Sequence, residues 1–283
     1  MLKKIFGFNS TLESDGSYSP SKMSLKLATA NKTDFENIAY QKYQGEKSKI
    51  LIILTEDKNM GMANGTFFST GNHPVETLLP MLHLKNAGFE FEIATPTGKP
   101  VVFEMWAFPQ NDKYVQSIFE EYNNSFMKPI SLEAEVNQLL NKTESYAAVF
   151  IPGGHGALLG LPEDKNVAKV LNWAFKNDLY IISLCHGPGA FLSTALNHQK
   201  FIFDGYQMAV FPDSVDRMTP KIGYLPGKMP YALNERLISL GAKIVNTKSD
   251  KTVCIDRRLI TGASPLASNE LGKLAATTLL NNL

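Results

Sequence analysis

A cysteine followed directly by a histidine, where a strand turns into a helix, is the pairing in this sequence best suited to chemistry. It lies in Tyr180-Ile181-Ile182-Ser183-Leu184-Cys185-His186-Gly187-Pro188-Gly189-Ala190. Tyr180 to Leu184 is short, apolar and β-branched, which predicts a buried strand. Gly187 then permits a sharp bend, Pro188 suits a first helical turn where its missing N–H costs nothing, and Ala190-Phe191-Leu192 continue apolar. A side chain on such a turn is lifted clear of the sheet, the geometry of the nucleophile elbow. A helix N-terminus beneath it favours the thiolate, the reactive form. Cys185 is therefore the candidate nucleophile. The alternative is a buried structural cysteine, against which the small residues on one side and His186 on the other both weigh.

Other residues could serve the same chemistry. The apolar run Tyr146 to Ile151 leads straight into Pro152-Gly153-Gly154-His155-Gly156. Glycines directly after a strand turn tightly and can aim backbone N–H groups at a ligand or an oxyanion. There is no Lys-Ser/Thr ending and no GxGxxG register, so this is not a phosphate loop. Asp213 and Asp216 follow another predicted strand, where acidic side chains face the ligand crevice of an open α/β sheet or simply form a loop. Glu76 falls in the first turn of a predicted helix. By itself it reads as a complement to the helix dipole.

Strands and helices alternate around these residues. Strands are predicted over Lys49–Leu54, Phe89–Ala94, Tyr146–Ile151, Tyr180–Leu184 and Tyr206–Phe211, and shorter ones over Lys243–Val245, Thr252–Asp256 and Leu259–Thr261, the last two as a hairpin. Helices are predicted from Pro74 to about Asn86, Glu163 to Asn177, Pro230 to Leu240 and Leu266 to Leu280. The pattern argues an α/β fold, a mostly parallel sheet sandwiched by helices. Residues 1–47 are polar and read as an N-terminal arm packing on the core or a partner subunit. Residues 48–283 read as the α/β catalytic domain, with an inserted cap at about 100–141. Thr55 to Gly71 reads as one long loop, and Cys254 as a core residue.

At 283 residues, with a net charge of +1 and no basic run with interleaved aromatics, the chain is long enough for a sizeable core and has no nucleic-acid signature. Its two cysteines lack paired spacing, which fits a reducing compartment. The start, Met1 to Phe8, briefly imitates a signal peptide but is too short in its apolar part, and no segment has the ~18 apolar residues of a membrane helix. The expectation is a cytoplasmic protein without membrane anchoring.

Three segments together resemble one family: Cys185 to Leu192 (CHGPGAFL), Phe150 to Gly156 (FIPGGHG) and Thr70 to Pro80 (TGNHPVETLLP). The chain resembles the HchA-type heat-shock chaperone and glutathione-independent glyoxalase III family. That family belongs to the PfpI-like branch of the class I glutamine amidotransferase-like superfamily, with a flavodoxin-like fold. The resemblance covers nearly everything from about residue 48 and implies roles. Cys185 would be the nucleophile, His186 its acid/base partner, Asp216 the residue orienting the histidine, and Glu76 a carboxyl beside the thiol. A bare carboxylate there would raise the thiol pKa, so Glu76 would be protonated and donate a hydrogen bond, or shuttle a proton. Gly153, Gly154 and Gly187 would line an oxyanion pocket, and His155 would shape it or act in it. The family's metal ligands fall on Lys85, Glu90 and Tyr122, where only the glutamate survives, so no metal is expected.

The implied activity is cofactor-free conversion of a small 2-oxoaldehyde such as methylglyoxal to a 2-hydroxy acid through a cysteine hemithioacetal. Deglycation of protein or nucleotide amines is a related possibility. A dimeric holdase chaperone for unfolded or glycated clients and a cysteine peptidase or amidase are the alternatives.

Overall fold

The structure is a computed structural model that describes residues 7–283. Residues 1–6, which hold most of the signal-like start and the beginning of the arm, lie outside the described residues.

In chain order the arm carries β1 (Thr11–Leu12), β2 (Tyr18–Ser19) and α1 (Lys22–Ala28). The body begins with β3 (Lys49–Ile53), β4 (Asn59–Gly61), β5 (Phe67–Ser69), α2 (Pro74–Asn86) and β6 (Glu90–Thr95). Then come α3 (Lys113–Met127), β7 (Ile130–Ser131), α4 (Leu132–Leu140), β8 (Tyr146–Ile151), α5 (Lys165–Lys176) and β9 (Tyr180–Leu184). A 3₁₀ helix over Gly187–His198 precedes β10 (Gln207–Met208), α6 (Asp213–Asp216), α7 (Leu233–Ser239) and β11 (Lys243–Ile244). The chain closes with the pair β12 (Val253–Asp256) and β13 (Leu259–Gly262), then α8 (Ser268–Asn282).

The main sheet has seven strands in the order β12-β13-β9-β8-β3-β6-β7, all parallel except the β12–β13 hairpin. Its central strands β3, β8 and β9 are almost wholly apolar because both faces are covered. In β3, Ile50 and Ile52 face the core with α2 and α8, while Leu51 and Ile53 face the one with α4 and α5. This sheet sandwiched by helices is the arrangement read from the alternation, and the flavodoxin-like fold is the one that the resemblance implied.

Several local readings change. Thr55 to Gly71 is not one loop: β4 and β5 pair antiparallel within it, and β5 also takes β2 of the arm, so a four-stranded sheet β1-β2-β5-β4 flanks the site. The strand read over Tyr206–Phe211 is only Gln207–Met208, paired in parallel with β11. Cys254 is half-buried on the edge strand β12 instead of in the core. Within 100–141, α3 packs on α2, β7 extends the sheet and α4 packs on α5. Phe103 forms an isolated bridge with Asn72, carrying the chain past the site.

Candidate active site

The parallel strands place the site at their carboxyl ends, where an open α/β sheet keeps its ligand crevice. β9 ends directly at Cys185, which takes the left-handed conformation at φ 59° and is 3% exposed. A non-glycine residue there is strained, and the strain sits on the cysteine itself. Gly187 is not the bend residue expected. It lies beneath the elbow, where a Cβ would collide with the Ile151 carbonyl and come within 2.5 Å of Ser183 Oγ.

His186 Nδ1 lies 3.4 Å from Cys185 Sγ, and its Nε2 donates to Asp216 Oδ2 at 2.9 Å. That arrangement leaves Nδ1 as the lone-pair nitrogen facing the thiol. Asp216 also accepts from His155 Nε2 at 3.1 Å, and the two imidazoles are tilted against each other at 4.1 Å. Burial works against its charge, yet the Asp216 carboxyl is held below the usual carboxylate range by the two histidines that donate to it. Asp213 has a different task. Its carboxylate accepts from the Asn234 and Glu235 N–H groups at 3.0 and 3.1 Å, capping α7.

Glu76 is fully buried next to the thiol. Burial pushes its carboxyl well above the ordinary range, and the nearby Glu104 adds to this. The thiol and the Gly153 and Gly154 N–H groups pull the other way. None of them reaches hydrogen-bond geometry, so both Glu76 oxygens lack a partner among the described residues. Burial, then the Glu76 carboxyl, pushes the Cys185 thiol up as well. The thiolate expected from the helix N-terminus is therefore not the resting form. Desolvation of a buried thiol outweighs the partial charge of a short, kinked 3₁₀ helix.

Cys185, His186, Glu76, Gly154 and His155 line one cavity of about 280 Å³, with Asp216 behind the histidines. Gly153 and Gly187 do not line it. A Cβ at Gly153 would strike Glu76 Oε2 and the Leu184 carbonyl, so this glycine permits the approach of α2 to the elbow. The backbone N–H that acts on the thiol is that of His186, while the Gly154 and Gly153 N–H groups act on the Glu76 carboxyl.

Three groups on the cavity wall, two of them buried and Tyr224 half-buried, are absent from the candidate site residues read from the sequence. Glu104 enters from the 100–107 segment, Tyr224 from the loop before α7, and His73 from the N-cap of α2. Burial lowers His73 to about 3, so its ring stays neutral. Tyr224 packs against Phe68, Trp106 and His155 with ring centroids 5.7–6.0 Å apart. Their local signals were faint: a lone acid in the apolar run Val101 to Trp106, and the Gly-Tyr-Leu-Pro-Gly turn.

The residues at the family's metal position do not suit a divalent cation. The Lys85 ammonium is ion-paired with Glu121, and Tyr122 packs edge-on against Phe91 at 5.3 Å. Burial, with Glu121 and Glu90 nearby, pushes the Tyr122 phenol up to about 12. A protonated amine and a protonated phenol leave Glu90 as the sole anionic donor of the three.

Comparison with known proteins agrees with this architecture. The DJ-1/PfpI family profile matches residues 67–277. The chain is 48% identical over 266 residues to the protein/nucleic acid deglycase HchA of Escherichia coli O157:H7, covering 94% of this chain and 93% of that one. Among solved structures, glyoxalase III of Candida albicans superposes with TM-score 0.62 at 22% identity, covering 82% of this chain and 98% of that one. The rapid encystment protein of Francisella tularensis superposes with TM-score 0.69 at 18% identity, covering 82% and 99%. At such identities these two likenesses concern the fold. With a family match over most of its length and near-half identity to HchA, the chain belongs to the DJ-1/PfpI family and is of the HchA type within it.

Proposed function

We propose that the protein is a glutathione-independent, cofactor-free glyoxalase that converts methylglyoxal and related 2-oxoaldehydes to 2-hydroxy acids. The observation that carries this reading is the convergence of a thiol, a histidine held in one tautomer and a protonated carboxyl on one cavity. A peptide-cleaving triad needs no carboxylic acid against its thiol; an isomerase that must give and then take a proton does.

The roles follow from the resting protonation states. As the thiol adds to the aldehyde carbon, His186 Nδ1 takes its proton, and Asp216 stabilises the resulting imidazolium. Glu76 gives its proton to the aldehyde oxygen, completing the hemithioacetal. It is then a desolvated carboxylate, a base strong enough to remove the hydrogen from that carbon. The electrons of the C–H bond form the carbon–carbon double bond of an enediol, and Glu76 returns the proton to the neighbouring carbon. In this reading the His186 and Gly154 N–H groups serve the oxyanion of the thioester stage, where water releases the hydroxy acid and His186 reprotonates the leaving sulfur.

The name of the HchA relatives, protein/nucleic acid deglycase, extends the same chemistry to early adducts of these aldehydes on amines. A homodimer in the cytoplasm belongs to the same reading; among the described residues no helix is long and apolar enough to cross a membrane. The decisive experiment is lactate formation from methylglyoxal without glutathione and with a chelator. Wild type is expected to be active and Cys185→Ala inert. Equal rates in both would refute the reading, and an inert wild type that still suppresses client aggregation would favour a holdase.

A further inference from the structure

Glu104 is 1% exposed and has no part in the scheme above. Its position is tightly determined. Its N–H donates to the Asn72 carbonyl at 3.0 Å, while the Asn72 side chain donates to the Val102 and Thr55 carbonyls and accepts from the Thr55 N–H. These bonds tie the 100–107 segment to the stretch that leads into α2. The carboxyl itself is held at one end only: Oε1 accepts from Thr70 Oγ1 at 2.5 Å. Oε2 is buried with no partner among the described residues, and Glu104 lines the cavity that contains Cys185.

A carboxyl in an otherwise apolar run is costly to bury, and an orphaned oxygen on a residue that lines a cavity can be satisfied by what enters it. Glu76 already occupies the place against the thiol. Glu104 belongs to the wall formed with His155 and Tyr224, and Thr70 holds it there. A substrate attached to Cys185 has a second oxygen that Glu76 does not serve, the one on the neighbouring carbonyl carbon.

We propose that Glu104 is the second proton carrier of the site, serving the oxygen on the carbon next to the one that the thiol attacks. The inference rests on the glyoxalase reading and names its substrate class, aldehydes with an adjacent carbonyl. When Glu76 removes the hydrogen of the hemithioacetal carbon, the C–H electrons form the carbon–carbon double bond. The π electrons of the adjacent C=O move to its oxygen, which takes the proton from Glu104 Oε2. When Glu76 returns its proton to that second carbon, the first carbon becomes the thioester carbonyl, and the hydroxyl proton it loses restores Glu104. Hemithioacetal and hydroxy thioester are isomers, so no external oxidant, reductant or net proton is required.

The acid–base character fits this task. Burial raises the Glu104 carboxyl to about 7, against the pull of His155 and the Thr70 hydroxyl. At that value it both gives and accepts a proton near neutral pH. The titratable groups around it are His155 on the loop after β8, Glu76 on α2 and Tyr224 before α7.

The test is the pH profile of lactate formation from methylglyoxal by wild type, Glu104→Gln and Thr70→Val. Glutamine keeps a hydrogen-bond donor but cannot transfer a proton. Glu104→Gln is expected to lower kcat by about 100-fold with KM within about threefold of wild type, and to abolish the fall in kcat above neutral pH. Thr70→Val removes a hydrogen bond that lowers the Glu104 pKa, so it should move that fall to higher pH while turnover persists; this holds even if Glu104→Gln does not fold. An active wild type with unchanged kcat and profile in Glu104→Gln, or an unmoved fall in Thr70→Val, would overturn the assignment to Glu104 alone. A wild type that makes no hydroxy acid would instead overturn the glyoxalase reading on which it rests.

Discussion

Glu76 and Gly153 meet where neither could be exchanged for a larger residue: a Cβ on Gly153 would overlap Glu76 Oε2. The same Cβ would come within 2.8 Å of Cys185 Cβ and would also strike the Leu184 carbonyl. The glycine loop after β8, the first turn of α2 and the elbow after β9 therefore close on one another through this contact. The Glu76 carboxyl at this contact is fully buried, which favours its protonated form.

Gly153→Ala should consequently loosen the site as well as the fold. Overpacking a rigid backbone contact costs about 1–3 kcal/mol. The expected result is a lower urea midpoint together with a loss of turnover greater than the loss of folded protein, read by circular dichroism and lactate assay on the same sample.

Asp216→Asn should separate orientation from attack. One amide cannot accept from both His155 and His186, which now share the two carboxylate oxygens. Loss of the charge and of the fixed tautomer is expected to lower kcat by about 100-fold or more while Cys185 remains in place. The folded pKa of Asp216 lies below its unfolded value. Its contribution to stability is thus present above the ordinary carboxylate range and is lost as pH falls toward the folded value. The gap in melting temperature between wild type and Asp216→Asn should be full at pH 6 and shrink below about pH 4.

Glu104 has the opposite linkage. Its folded pKa is raised from 4.5 to about 7, so the folded state holds a proton that the unfolded chain has lost. Stability from this group therefore declines as pH rises from about 4.5 to about 7, at roughly 1.4 kcal/mol per unit and about 3 kcal/mol in all. Glu104→Gln should be more stable than wild type at pH 8, with the advantage narrowing toward pH 5. Equal pH dependence of the two melting curves would show that Glu104 titrates normally.

The buried thiol gives a fourth expectation. In a Cys254→Ser background, the iodoacetamide reaction of Cys185 should keep accelerating as pH rises through 9, because burial raises its pKa. A plateau near pH 7 would mean a resting thiolate.

The sequence by itself determined the elements whose cause is local. Tyr146–Ile151 and Tyr180–Leu184 are buried at every position, and apolar but for Ser183, because both faces of a central strand are covered, and they form as read. Pro74 at a first helical turn and Gly88 after the last place α2 over Pro74–Asn86. The elbow cysteine with its histidine was legible for the same reason, as a run of small residues and a proline at one strand end. Tertiary structure decided what depends on distant segments. Nothing near Glu76 marks it as buried; that follows from the approach of Gly153 and the elbow, 77 and more residues away along the chain. Glu104 and Tyr224 reach the cavity only because the segments around Asn72 and Phe68 hold them there. The same closure reverses the charge state expected of Cys185. A helix N-terminus can be read from a few neighbouring residues, whereas the loss of water around a thiol is the work of every segment packed over it.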